Sequence, residues 1–288
     1  MATAHKETYS PVSFQELFSL WSRFPNAVPY AGGTSFLLDN KTWFPVLPDI
    51  ILSLDNIKEL KRISRTERYL EIGSMVSLNT IFNLGKIVPE IFIKTIENIA
   101  GLHIRNMATL GGSICDKRKL DTIAPLIALD AHFELRNSHS SRWVSAARFF
   151  STSSPALSSA EIVTRIRIPL EQWNLSIYRK FKIPGRSSYG NIIVFMLKNT
   201  KDIITDLRVA YSGSIILDNR QSRTHLIGKR LPLKNTEAQV FYDDWKKYLV
   251  NMESMMNPAE KILNKTINEI IHFQILNFIE YIIMDLTD

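Results

Sequence analysis

Two glycine pairs are the residues of this chain best placed to do chemistry. Gly32-Gly33 lies in Ala31-Gly-Gly-Thr-Ser35, and Gly111-Gly112 lies in Thr109-Leu-Gly-Gly-Ser113. Glycine takes a positive φ without penalty and lets a ligand reach bare backbone. Successive N–H groups in such a turn form an anion-binding concavity, and the neighbouring Thr and Ser hydroxyls add donors. Two such concavities would suit the two phosphates of a dinucleotide. Each pair alone also reads as a tight turn, and the shared glycine-glycine-hydroxyl pattern shifts that balance only modestly. Arg105-Asn106 stands just upstream of the second pair, where the arginine either braces the loop or is simply an exposed cation. Asp121 follows at a distance that could return a carboxylate to a ribityl or ribose hydroxyl. Its alternative is a helix N-cap for residues 122–129.

Other chemistries are excluded by residue counts and spacing. The only cysteine, Cys115, allows no intrachain disulfide, which suits a reducing compartment, and cannot ligate an iron–sulfur cluster. The six histidines are scattered, with no pair spaced to share a helical face, so a zinc hydrolase site is not expected. There is no Gly-x-Ser-x-Gly elbow, no Walker lysine and no Gly-x-Gly-x-x-Gly. In 288 residues, 45% hydrophobic and 22% charged describe a folded protein and exclude disordered or fibrous classes. A net charge of +7 fits an anionic cofactor, an acidic partner, nucleic acid or solubility alone. The charge is spread along the chain without an aromatic-basic module, so no nucleic-acid partner is expected. Residues 1–10 are polar and lack a signal-peptide core, and the apolar stretches are broken by charges short of a membrane span. A cytoplasmic protein without a membrane span is the expectation.

The elements that must position the glycine pairs follow from periodicity. Ser13-Phe-Gln-Glu16 is a capping box opening a helix with the stripe Phe14, Leu17, Phe18 and Trp21. Residues 27–31 read as a short buried strand running into Gly32, and Ile50 to Leu54 as a second strand followed by a short helix, together a small parallel α/β unit. A strand at 69–73, helices at 77–84 and 89–100, an Arg-, Gly- and Thr-rich loop at 105–116, and an apolar segment at 122–129 come next. Strands follow at 131–136 and 161–168, the latter alternating in a half-buried period. After a boundary near 172–174, strand candidates at 177–183, 191–197 and 207–217 and helices at 236–252 and 258–284 predict a separate α+β lobe.

Four segments together carry a resemblance: Ala31-Gly-Gly-Thr-Ser35, Leu70-Glu-Ile-Gly-Ser74, Ile104-Arg-Asn-Met-Ala-Thr-Leu-Gly-Gly-Ser-Ile114 and Ala128-Leu-Asp-Ala131. In this order the chain resembles the flavin-binding medium subunit of molybdenum hydroxylases, the family of the xanthine dehydrogenase FAD subunit and the carbon monoxide dehydrogenase medium chain. The resemblance covers nearly the whole chain and is strongest from 27 to 150. It implies an α+β fold in three parts: a small α/β unit (1–65), an antiparallel-sheet subdomain (66–173) and a C-terminal antiparallel sheet with helices (174–288). FAD would lie between the first two. Its pyrophosphate would rest on Ala31, Gly32, Gly33, Thr34 and Ser35 and on Thr109 through Gly111, Gly112 and Ser113, with Arg105 as loop support. Asp121 matches the position that contacts the sugar-like chain. Tyr189 matches an aromatic beside the flavin ring, with Lys182 and Arg186 as neighbours. The chain departs from the family pattern in three places. Ser113 replaces a frequent Asn, and Ser188 replaces a frequent Asp. The turn Lys117-Arg-Lys-Leu120 stands where a Pro/Ser/Ala-rich turn is usual, apparently one residue shorter, with three cations that either favour the pyrophosphate or reset the loop.

What the resemblance implies is an electron-transfer oxidoreductase subunit. A molybdopterin-binding large subunit would hydroxylate the substrate, and a [2Fe-2S] small subunit would pass the electrons on. FAD on this chain would hand them to NAD or another acceptor. A stand-alone FAD oxidoreductase, with Tyr189 as proton donor, and a degenerate non-catalytic assembly subunit are the competing readings.

Overall fold

The computed structural model describes residues 6–39, 46–118, 120–151, 157–158, 160–182, 191–213, 216–218, 222–255 and 265–287. The chain folds as two compact units, Met1–Glu171 and Gln172–Asp288.

The first unit opens with β1 (Glu7–Tyr9), α1 (Phe14–Arg23), β2 (Val28–Tyr30), α2 (Thr34–Asp39) and β3 (Ile50–Ser53). The strands form a parallel sheet in the order β1-β3-β2. The Ser13 hydroxyl caps α1 by accepting from the Glu16 N–H at 3.2 Å, while the Glu16 carboxylate accepts from the Val12 N–H at 2.8 Å. Leu17 and Phe18 bury the helix stripe against Leu52, Leu54, Ile57, Leu60, Met75 and Ile162, with Phe14 and Trp21 packed at the margin. β1 has no apolar alternation and was not legible as a strand. β2 forms where expected, but it is not buried: it is an edge strand with Val28 exposed. Pro29, which has no N–H to give a ladder, fits that edge.

An antiparallel sheet follows, built from β4 (Ile63–Arg65), β5 (Tyr69–Gly73), β6 (His132–Arg136), β7 (Ser141–Ser145) and β8 (Ile162–Pro169), ordered β4-β5-β8-β6-β7. One face buries Leu70, Ile72, Phe133, Leu135, Val144, Ile166 and Ile168. The other carries cross-strand pairs, Arg165 to Glu134 and Arg167 to Glu71, both at 2.7 Å, with Arg167 stacked 4.1 Å from the Trp143 ring. Between β5 and β6 the chain makes α3 (Leu78–Phe82), α4 (Glu90–Glu97), α5 (Leu102–Met107), α6 (Leu110–Cys115) and α7 (Ile123–Ala128), and α8 (Ala146–Phe149) lies between β7 and β8. The stretch expected as a loop at 105–116 is therefore mostly helical.

In the second unit β9 (Leu175–Lys180), β10 (Ile192–Thr200), β11 (Ile203–Ser212) and β12 (Ile216–Asp218) form an antiparallel sheet ordered β12-β11-β10-β9. Helices α9 (Asn235–Met255) and α10 (Lys265–Thr287) contribute Phe241, Trp245, Ile275 and Ile279 to its core beside Phe195 and Tyr211. Contrary to the expectation from the sequence, one stretch, Ile267–Thr287 in α10, is long and apolar enough to cross a membrane by length and composition. Ile271, Phe278, Ile282 and Leu286 from that stretch pack into this unit's core.

Candidate functional site: a cleft under two glycine pairs

Three segments distant in sequence converge in the first unit. The connection from β5 to α3 runs beside the segment joining α5 to α6. Gly111 N–H donates to the Ser74 carbonyl at 2.8 Å, Leu110 N–H to Val76 at 3.0 Å and Leu78 N–H to Ala108 at 2.9 Å. The first glycine pair lies against the same segment. A Cβ on Gly32 would collide with the Met107 carbonyl, and one on Gly112 would stand 3.9 Å from the Ala31 Cβ. The two glycine pairs are thus neighbours in space.

Their glycines serve different ends. Gly33 is at φ +70°, and its carbonyl accepts from the Leu37 N–H at 3.0 Å, so it sits at the start of α2. Helix geometry leaves the N–H groups of Thr34 and Ser35 without an acceptor inside α2. Gly111, by contrast, has an ordinary φ and is needed for closeness: a Cβ there would lie 2.6 Å from the Ser74 Cβ. The second pair is not an open concavity of N–H groups. Thr109 caps α6 by accepting from the Gly112 N–H at 3.1 Å, and Ser113 N–H donates to the Thr109 carbonyl at 3.0 Å. Together with the bonds of Leu110 and Gly111, every N–H from 110 to 113 is engaged within the protein. The Thr109 hydroxyl, whose oxygen accepts from Gly112, keeps its own proton to donate.

Two hollows border the paired segments. The larger, about 610 Å³, is lined by Tyr30, Ala31 and Gly32 from the first segment, by Ser77 and Thr80 from the start of α3, and by Asn106, Met107 and Thr109. Lys61 and Asp55 close one side, paired at 2.7 Å. The smaller, about 240 Å³, is mostly apolar: Pro29, Leu54, Met75, Leu157, Ile162 and Val163 surround Gly111, Gly112 and Cys115. Ala31 and Met75 line both. The Ser74 hydroxyl in the smaller hollow is buried with no partner among the described residues. Burial pushes the Cys115 thiol up to about 12, with Asp116 next to it adding to the rise. Ser77, Thr80, Lys61 and Ser74 were not singled out from sequence, although Ser74 closes the quoted Leu70–Ser74 segment. A hydroxyl straight after a strand-ending glycine was the available signal.

The remaining expected site residues are placed as follows. Arg105 does not line either hollow. Its guanidinium donates to the carbonyls of Glu97, Ile99 and Ala100, each at 3.1 Å, and so holds the turn after α4. Asp121 is buried and lines neither hollow; the N-cap of α7 is Thr122, not Asp121. The Thr122 hydroxyl bonds the Ser113 hydroxyl at 2.8 Å. Arg118 in the basic turn is not free for phosphate: it pairs with Asp116, its Nε 2.9 Å from Oδ1. Burial alone would raise the Asp116 carboxyl, but bonds from Arg118 and the Ser35 hydroxyl outweigh it and hold the group below the usual range. Lys117 is exposed, and Lys119 lies outside the described residues. Lys182 belongs to the second unit and is exposed, its carbonyl accepting from the Gln274 amide at 3.4 Å. Tyr189, Arg186 and Ser188 lie outside the described residues. No group of three or more potential metal ligands occurs among the described residues.

A small parallel α/β unit joined to an antiparallel sheet brings two glycine segments to the border of one cleft. Residues 4–171 match the family described as FAD binding domain in molybdopterin dehydrogenase, and the chain belongs to that family. It is 28% identical to aldehyde oxidase 2 of Cavia porcellus over 222 residues, 71% of this chain and 17% of that protein. It is likewise 28% identical to xanthine dehydrogenase 2 of Arabidopsis thaliana over 249 residues, 77% of this chain and 18% of that protein. The chain therefore spans less than a fifth of the length of these relatives. Its fold superposes on a chain of carbon monoxide dehydrogenase from Hydrogenophaga pseudoflava with TM-score 0.76, 23% identity and 95% of both chains covered. For a chain of quinoline 2-oxidoreductase from Pseudomonas putida 86 the TM-score is 0.70 at 23% identity, covering 82% of this chain and 85% of that one.

The residues present fit FAD, the cofactor of this family. Side chains at Gly32 and Gly111 would drive the three segments apart, the larger hollow falls within the usual range for ligand sites, and the unpartnered Ser74 hydroxyl awaits a polar group.

Proposed function

We propose that this chain is the FAD-binding, electron-transfer part of a cytoplasmic molybdenum hydroxylase. A molybdopterin-binding large subunit and a [2Fe-2S] small subunit would complete it, with NAD or another molecule as acceptor. The observation that supports the reading is the packing of both glycine segments together inside the family-matched domain, with Gly32 and Thr109 at the larger hollow and Gly111 and Gly112 at the smaller one. When bound, FAD supplies the two-electron chemistry; the protein supplies position and electrostatics. Gly32 and Gly33 let the first segment pack against Met107 and Tyr30 beside the larger hollow, and the first-turn N–H groups of Thr34 and Ser35 with the Thr109 hydroxyl would offer donors for the phosphates. Pro29, Leu54, Ile162 and Val163 give the smaller hollow an apolar wall. The Thr122 hydroxyl, bonded to that of Ser113, supports the second segment from behind. A single cysteine cannot ligate an iron–sulfur cluster, which supports a cluster held elsewhere in the assembly.

The degenerate assembly reading has one observation in its favour, the internal engagement of the N–H groups from 110 to 113. Affinity purification of the tagged chain from its native cell decides among the readings. Co-purifying molybdopterin and a [2Fe-2S] signal, with bound FAD reduced on adding substrate, is the expected result. Flavin without those partners would favour a stand-alone oxidoreductase, and partners without flavin the assembly subunit.

A further inference from the structure

We propose that the charged face of the five-stranded antiparallel sheet carries a second ligand site, a hollow bordered by Arg62 and Arg136 that takes a small molecule bearing a carboxylate or phosphate oxyanion. It shares no lining residue with the two hollows beside the glycine pairs, so it goes beyond the FAD reading and does not depend on it.

The hollow measures about 490 Å³, within the usual range for ligand sites. Phe14 of α1, Glu59 and Arg62 ahead of β4, and Arg136 at the end of β6 surround a floor that includes the buried Glu134 and Thr164. Strand pairing brings these distant residues together. Gly73 N–H donates to the Arg62 carbonyl at 2.8 Å, Gly73 pairs with Arg165, and Arg165 pairs with Glu134, so Arg62, Arg165 and Glu134 fall in one row across the sheet. A Cβ on Gly73 would collide with the Leu60 carbonyl. Glycine there lets the helical turn Lys58–Lys61 settle onto the sheet and set Glu59 and Arg62 at the rim.

The carboxylates on this face are already engaged. Glu134 accepts from Arg165 Nε and Nη2, both at 2.7 Å, and from the Thr164 hydroxyl at 2.6 Å. Glu71 accepts from Arg167 Nε at 2.8 Å and Nη2 at 2.7 Å. Arg62 and Arg136, by contrast, form no ion pair among the described residues. The Arg136 guanidinium lies over the Phe14 ring at 4.3 Å, a contact that uses its flat face and leaves its N–H edge for an acceptor. Both groups stay charged at any ordinary pH, and a guanidinium fork matches the paired oxygens of a carboxylate or phosphate. Phe14 and Ile63 give the carbon part of such a molecule an apolar wall. Glu59, exposed at the same rim, opposes an anion and so limits its affinity.

Equilibrium dialysis of labelled inorganic phosphate and of labelled succinate against the purified chain, at fixed ionic strength, tests the site. One or both should bind at millimolar concentration, and a preference between them names the oxyanion. Arg62→Gln and Arg136→Gln should each weaken binding about tenfold, the scale of a lost hydrogen bond to a charged group. Glu59→Gln should tighten it by removing a like charge. Arg65→Gln, at an exposed arginine on β4 that does not line the hollow, should leave it unchanged. Failure of the wild-type chain to bind either anion would overturn the proposal. So would binding that survives both the Arg62 and the Arg136 variants, which would place the ion elsewhere, or an equal loss in Arg65→Gln, which would reduce the effect to surface charge. A chain that binds no FAD yet holds an anion with this variant pattern would overturn the FAD reading and support this site.

Discussion

Replacing Gly33 by alanine puts a Cβ on a residue at φ +70°, where an L side chain costs about 1–2 kcal/mol. Gly85, at φ +57° with nothing within 4 Å of a built Cβ, carries the same backbone cost far from any crowding. The two substitutions form a matched pair. Both should lower the ligand-free melting temperature by about 2–8 °C, taking the usual few degrees per kcal/mol for a unit of this size. Only Gly33→Ala disturbs the cleft. Its Cβ would overlap the Tyr30 hydroxyl, and Tyr30 lines the larger hollow. Relief by a turn of φ to negative values redirects the Thr34 and Ser35 N–H groups. Losing one hydrogen bond to a charged phosphate corresponds to about 1.5–3 kcal/mol, a tenfold to hundredfold loss of affinity. The assay is FAD titration of both stripped variants alongside thermal melts. Equal FAD affinity in the two, at equal loss of stability, would refute the assignment of the first glycine pair to the cofactor.

Gly111→Ala should destabilise the first unit by about 1–3 kcal/mol through overlap with Ser74, read as a lower denaturant midpoint. Arg105→Ala should increase hydrogen exchange at residues 97–101 while changing FAD affinity less than about threefold, a change well under 1 kcal/mol, since its guanidinium holds carbonyls and not the cleft. The Glu134 carboxyl is held below its ordinary 4.5 first by the Arg165 hydrogen bond, and Glu161 first by that of Arg142. A lowered carboxyl contributes stability that is present above that value and lost as pH falls through the folded-state pKa. Glu134→Gln should therefore lower stability at pH 7 and flatten its fall below about pH 4.5, as followed by acid titration of the melt. Cys115, whose thiol burial pushes up to about 12, should react with iodoacetamide at pH 8 more slowly than an ordinary cysteine thiol, as read by mass spectrometry over time.

Several features were legible because local signals matched tertiary demands. The capping box at Ser13, the strand at 69–73 and the alternation from Ile162 to Ile168 are each decided by neighbours in sequence, and each formed. The proximity of the two glycine pairs was implied by the family resemblance, their shared pattern alone shifting the balance from two tight turns only modestly. Other features depend on partners distant in the chain. β1 is three residues long and exists because β3 lies beside it, which no local period reveals. Residues 105–116 look like a loop because glycine and threonine are weak helix formers. Thr109 as cap and the close backbone of Ser74 make the second half helical. The pairing of Arg118 with Asp116, two residues back, depends on how the turn after α6 folds, which no local period shows.

Flavin content of the purified chain tests the central claim most directly. The visible spectrum, with the released nucleotide identified by chromatography, should show a two-band flavin and about one FAD per chain, the expectation for a single cofactor in one cleft. A colourless protein that takes up no added FAD would contradict the account.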